Sequence, residues 1–241
     1  EYISDTNSFL YQRVFRVHNR LEIASLGGSM IDGYSEAGIV AVPKHFPGHT
    51  NNSVDSHSQL PVENIDSINV LVQTFDSLLK NHTQMIMTSH VMYPKIDSLY
   101  PATLSKKILD YLKIDMNYDG LIISDDMEMK AIENNYTLER ASILALQAGV
   151  DILSFGASKN GALSVEAIVL FDQSHSEELG YRRKRAGHLC SKMRFQAAQL
   201  DAYLADDLWL RNAQQANAMA QYLATGLAQV DAISIQGKVE A

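Results

Sequence analysis

The chain has 241 residues and a formal net charge of −8, enough for one large α/β domain or two small ones. The acidic balance excludes nucleic acid and anionic membrane as main partners, since either would repel it. No run approaches the roughly 18 apolar residues that span a bilayer, and the single cysteine, Cys190, cannot close an internal disulfide and fits a reducing, cytoplasmic compartment.

Short β-branched runs alternate with longer helical patterns. Gly38-Ile39-Val40-Ala41-Val42 predicts a buried strand. Residues 66–80 follow, with Ile68, Val70, Leu71, Phe75, Leu78 and Leu79 forming a helical apolar stripe. Next come a strand at Met85-Ile86-Met87, a helix over 105–112 with Ser105 as N-cap, and a strand at Gly120-Leu121-Ile122-Ile123. Thr137 is placed to cap a helix that Gly149 would stop. Val150-Asp151-Ile152-Leu153 predicts one more strand, and the alternation implies a parallel sheet or barrel.

After about Gly156 the texture changes. Residues 165–171 predict a strand, 197–203 and 208–226 predict helices, and 230–241 carry the start of another strand pattern. The basic run Tyr181-Arg182-Arg183-Lys184-Arg185 reads first as a solvated helix face and second as an anion site.

In parallel α/β folds the chemistry sits just past the C-terminal ends of strands. Lys44-His45, Ser89-His90 and Ser124-Asp125-Asp126 occupy such places. His45 and His49 stand four apart, a spacing that joins two metal ligands on a helix, but Pro47-Gly48 would disrupt one. The competing reading of that stretch is a polar loop with satisfied histidines. Helix capping accounts for one of the adjacent carboxylates, Asp125 and Asp126, but not for both.

Lys44 to His49, Asp55-Ser56-His57, Thr88-Ser89-His90-Val91 and Ser124-Asp125-Asp126-Met127-Glu128-Met129 together resemble the family-3 glycoside hydrolases, in the β-N-acetylhexosaminidase branch. Order and spacing match from about Arg13 to Ile152. The resemblance implies a retaining hydrolysis of terminal β-N-acetylhexosaminides, from peptidoglycan fragments or chitin-derived sugars, with Asp125 as nucleophile. It implies His57 as general acid/base, oriented by Asp55. An imidazole suits that work because it gives and takes a proton near neutral pH, and a carboxylate fixes its tautomer. Lys44 and His45 match residues that hold sugar hydroxyls, as does Arg13 with spacing one residue off, and His90 is expected to line the same cleft. The Asp55–His57 dyad, and Asp126 in place of tryptophan after the nucleophile, favour N-acetylglucosamine over glucose. The partner is then a small sugar, and no metal or organic cofactor is called for. A family barrel holds eight strand–helix units, so the first three or so are expected upstream of Glu1.

The segment Asp151 to Ala162, with Glu166 to Asp172, Tyr181 to Gly187 and Asp207 to Leu210, resembles a second family, the low-specificity threonine aldolases. That resemblance implies pyridoxal phosphate held as a Schiff base on Lys159. The rest of that family's cofactor site lies upstream of this lysine, where glycosidase-like sequence stands instead. The expected fold class is therefore α/β: residues 1–152 as the C-terminal part of a (β/α)8 TIM-type barrel, and 153–241 as a mostly helical fragment resembling a fold-type-I pyridoxal-phosphate enzyme. The alternatives to a glycosidase are a threonine aldolase-like lyase and an inactive fusion of two fragments joined near Gly149 to Leu153.

Overall fold

The computed structural model of the chain describes all residues except Glu1, Phe9, Arg16, His18, Asn52, Ser53, Lys80, Asn81, His82, Asp231, Gln236, Gly237, Lys238, Glu240 and Ala241, and the side chain of Lys159. The chain divides into two units, one holding residues 1–154 and 168–173, the other 155–167 and 174–241.

In the first unit, side-chain caps set the helix starts. Asn19 accepts from the Glu22 amide to open α1 (Arg20–Glu36), and Ser67 accepts from Asn69 to open α2 (Ile68–Leu78). Ile68, Leu71, Val72, Phe75 and Leu78 are the buried stripe of α2, which packs on α1. A Cβ on Gly27 would lie 3.1 Å from Leu78, so the bare glycine lets the two helices approach closely. The sequence reading had no helix over 20–36. Gly27, Gly28 and Gly33 lower its intrinsic helix propensity, and packing on α2 overrides that cost.

The sheet order is β1 (Met85–Met87), β2 (Leu121–Asp126), β3 (Ile152–Gly156) and β4 (Glu166–Leu170). β1 and β2 run parallel, pairing Met85 with Leu121, Ile86 with Ile122 and Met87 with Ile123. β2 and β3 are parallel as well. Met85, Ile123 and Ile152 form a core cluster on one face, joined by Val40, Val42 and Leu170, while Ile86 and Ile122 on the other face are fully buried. Between the strands stand α3 (Lys106–Asp110), capped by Ser105 and continued by a π turn over Tyr111–Asp115, the short α4 (Lys130–Glu133), and α5 (Leu138–Ala148). Thr137 caps α5, and Gly149, at φ +110°, ends it in the left-handed region that glycine adopts without steric cost.

These elements realise the α/β class, with two corrections. No residue of 38–42 forms a strand. The first main-chain bond to β1 comes from Pro43 O, which accepts from Met87 at 3.1 Å, and proline has no amide with which to answer. Pairing is limited to a parallel bridge between Phe46 and Thr88. The second correction is that β3 starts at Ile152, two residues later than expected, and runs to Gly156.

The second unit is mostly helical, with α6 (Ser176–Arg185), α7 (Arg194–Leu204) and α8 (Leu208–Leu227). Ala157, Val165 and Tyr203 form its core cluster, with Ala162, Leu200 and Trp209 packed against them. α6 buries none of its residues, and Arg182 pairs with Glu178 one turn away, so the basic run is a solvated helix face. The described residues of 230–239 form no strand.

Candidate active site

The C-terminal end of β2 is irregular. Ile123 pairs with Ile152 and Asp126 with Ser154, so β2 carries one more residue than β3 over the same span. The buried Ser124 hydroxyl accepts from the Ser154 amide at 3.1 Å and fills the ladder position that the irregularity opens. Such a bulge re-aims the side chains that follow it. Asp125 and Asp126 both fall within this re-aimed end.

Asp125 is half-buried. The Asp126 amide donates to its Oδ1 at 2.8 Å, and His45 Nε2 stands 3.5 Å from its Oδ2. Burial pushes the Asp125 carboxyl up, but the charge that His90 and His45 carry when protonated, the Asp126 amide and Lys44 outweigh it and hold the pKa below the ordinary 3.8. Asp125 is therefore a carboxylate at neutral pH. Lys44 and His45 lie between Pro43, whose carbonyl accepts from the Met87 amide, and Phe46, which bridges to Thr88; together with Arg13, from the turn Tyr11–Arg13, they line one open cavity of about 770 Å³. The rest of its lining is largely apolar, including Phe15, Tyr34 and Phe75. Asp125, Asp55 and His57 are not among the residues that line it.

Asp55 and His57 form their own pair on the following loop. Asp55 Oδ1 accepts from both the amide and Nδ1 of His57, at 2.9 and 2.8 Å. The carboxylate thus fixes the orientation of the partly exposed ring through its Nδ1 side. Two contacts anchor the loop: Ser56 O accepts from the Ala131 amide in α4, and Glu63 accepts from the Thr50 amide with both carboxylate oxygens. Tyr93 donates to Gly48 O at 2.6 Å beneath it.

The structure thus brings Asp125 together with His45, and Lys44, His45 and Arg13 onto one cavity. His90 departs from its expected place among the sugar-holding groups. It is 1% exposed, with Nε2 on Asp126 O at 2.9 Å and Nδ1 on Thr103 at 2.8 Å, so both ring nitrogens are committed inside the protein. Burial pushes its pKa below 6.5 despite the pull of Asp125. Glu63, Thr88 and Thr103 are buried polar neighbours of the site that sequence reasoning did not single out. A lone Glu or Thr in a loop carries no local signal, because only the fold sets its partner. His49 packs edge-on against His45, with centroids 5.5 Å apart, and stands 3.9 Å from Glu63. The two histidines meet through a turn, and among the described residues no group of three His, Cys, Asp or Glu is arranged to hold a metal ion.

In the second unit Lys159 lies in the turn Ser158–Asn160. The polar groups beside it are engaged in packing: Asn160 donates to Tyr203 and to Trp209 O, Asn212 donates to Asn160 O, and Gln199 accepts from Leu163 and Ser164. These groups do not fit a bound pyridoxal phosphate, which needs free donors for its phosphate and ring.

Comparison with known proteins gives two kinds of match. A beta-hexosaminidase of Hydrogenovibrio crunogenus is 36% identical over 135 residues, covering 54% of this chain and 38% of the relative. A low specificity L-threonine aldolase of Pseudomonas aeruginosa is 48% identical over 98 residues, covering 41% of this chain and 28% of the relative. Among solved structures, a glycoside hydrolase family 3 beta-N-acetylglucosaminidase from Paenibacillus superposes with a TM-score of 0.58 at 29% identity, covering 61% of this chain and 29% of that one. The chain thus spans less than half the length of each of these relatives. The family model for the glycosyl hydrolase family 3 N terminal domain matches residues 7–169, about two-thirds of the sequence, and the chain belongs to that family.

Proposed function

We propose that the first unit is built to hydrolyse terminal β-N-acetylhexosaminides of the N-acetylglucosamine type with retention of configuration. The observation that carries this reading is the ionised Asp125 carboxylate at the end of β2, held by the Asp126 amide beside His45. In the first step Asp125 attacks the anomeric carbon, the glycosidic C–O bond breaks, and protonated His57 gives its Nε2 proton to the leaving oxygen. In the second step water attacks the same carbon, His57 Nε2 takes the water's proton, and the Asp125 carboxylate departs. Asp55 holds the Nδ1 proton throughout, while Lys44, His45 and Arg13 grip the sugar. All of this chemistry runs on protein groups. The names of the relatives, beta-hexosaminidase and beta-N-acetylglucosaminidase, support the substrate class.

The test is hydrolysis of a chromogenic β-N-acetylglucosaminide, with the initial product anomer read by NMR. The expected result is β product from the parent chain and loss of turnover in Asp125→Ala. An active Asp125→Ala chain, or α product first, refutes the assignment.

The match to a threonine aldolase favours a second statement, about ancestry. We infer that residues 153–241 descend from such a protein and were joined to a partial barrel, residues 1–152, near Gly149 to Leu153. The committed polar groups around Lys159 argue against a working pyridoxal-phosphate site in the joined chain. Sequencing the source DNA across the junction tests the join. A continuous reading frame supports it, and two separate frames overturn it.

A further inference from the structure

The end of β2 is held by a buried chain of hydroxyls that the proposed chemistry does not use. Thr88, Thr103 and His90 are 0, 0 and 1% exposed. Thr88 Oγ1 lies 2.8 Å from Thr103 Oγ1, Thr103 Oγ1 lies 2.8 Å from His90 Nδ1, and His90 Nε2 lies 2.9 Å from Asp126 O.

Proton counting orients this chain. Asp126 O is a carbonyl and can only accept, so Nε2 carries a proton. Burial favours the neutral ring, which leaves Nδ1 as an acceptor. Thr103 must then give its only hydroxyl proton to Nδ1. Ser89 O lies 2.9 Å from the same hydroxyl, but it is already served by the Thr103 amide at 3.2 Å, whereas an unprotonated Nδ1 has Thr103 as its donor at 2.8 Å. Thr88 in turn donates to Thr103 at 2.8 Å, because the Thr103 proton is already given to Nδ1; Ile123 O, at 3.5 Å, is the more distant acceptor. The chain runs one way: Thr88 to Thr103 to His90 to Asp126 O.

Residue 126 is where this matters. Its carbonyl takes the His90 proton and the Met129 amide, and its own amide grips Asp125 Oδ1. We propose that Thr103 is a positioning residue, which holds the His90 ring by its Nδ1 and through it the backbone of residue 126 that aims the Asp125 carboxylate. The proposal rests on the reading of Asp125 as nucleophile for its kinetic consequence, and not for its structural one.

Two measurements on the whole chain test it, using Thr103→Val, which keeps the shape and removes the hydroxyl, and Thr103→Ser, which restores it. In hydrolysis of the chromogenic β-N-acetylglucosaminide, Thr103→Val is expected to lose about tenfold or more in kcat with KM within about twofold, and Thr103→Ser to recover most of it. Independently of activity, nitrogen NMR is expected to find His90 as the neutral Nε2–H form. Exchange of the Asp126 amide is expected to quicken by about tenfold in Thr103→Val, with the Ile86 amide unchanged and the rate restored in Thr103→Ser. An Nδ1–H ring in the parent chain, or an Asp126 amide indifferent to Thr103→Val, overturns the proposal. If no variant hydrolyses the sugar but the spectra behave as expected, the positioning chain stands and the glycosidase reading falls. If Thr103→Val loses KM rather than kcat, the positioning role falls.

Discussion

Ser124→Ala would probe the irregular end of β2 directly. The side chain is fully buried, and its hydroxyl is the acceptor for the Ser154 amide at 3.1 Å, at the point where the β2–β3 register slips. Alanine fits the space but leaves that amide with no acceptor. An unmet donor in a partly dry site costs about 1–3 kcal/mol, and Ser154 is only half-buried, which puts the cost near the lower end. With a urea dependence of about 2 kcal/mol per molar, a loss of that size lowers the unfolding midpoint by about 0.5 M. Far-UV circular dichroism in a urea series reads it. Ser142→Ala is the control, because Ser142 only back-bonds to Leu138 O one helical turn earlier, and its removal should stay within about 0.5 kcal/mol of neutral. A Ser124→Ala midpoint matching that of Ser142→Ala would refute the idea that the hydroxyl fills the ladder position.

Acidification should weaken the first unit in a defined window. The folded pKa of His90 is lowered from 6.5 by burial, so the unfolded chain binds that proton more readily; the stabilisation is complete above about 6.5 and is lost as pH falls towards the folded value. Asp125, lowered from 3.8, extends the loss below that pH. Urea midpoints should therefore fall between pH 7 and pH 5, more shallowly in His90→Gln, and equal slopes in the two proteins would contradict the assignment. Gly120→Ala should destabilise by about 2 kcal/mol or more, because a Cβ there overlaps the Tyr118 hydroxyl and lies 2.8 Å from Gln84 O, a backbone atom that cannot swing away. A thermal melt indistinguishable from the parent would show that the Tyr118 ring moves freely.

Much of the architecture could be read locally. Ser105 and Thr137 cap the helices that their positions announced, and Gly149 stops α5, because a cap is an interaction within one turn of chain. The stripe of α2 was visible for the same reason, since 3.6-residue periodicity needs no knowledge of a partner. α1 was not visible, because three glycines mask a helix that exists by leaning on α2. The stretch 38–42 misled in the opposite direction. Its β-branched residues do pack on the Met85 cluster, but Pro43 denies the segment a ladder.

The site divides along the same line. The residue types and their order along the chain pointed to Asp125, the Asp55–His57 pair and the Lys44-His45 segment, and to family membership, since those signals are written in consecutive residues. The partnership of Asp55 with His57 was within reach too, since two residues of separation let one carboxylate meet both the amide and the ring. What only the tertiary structure decided is how these pieces are held. Thr103 meets His90 across 13 residues, and His90 meets Asp126 across 36. Ser154 meets Ser124 across 30. Such bonds exist because parallel strands bring distant segments to one sheet end, and a buried hydrogen bond is specified by where its partner lands, which local sequence does not encode.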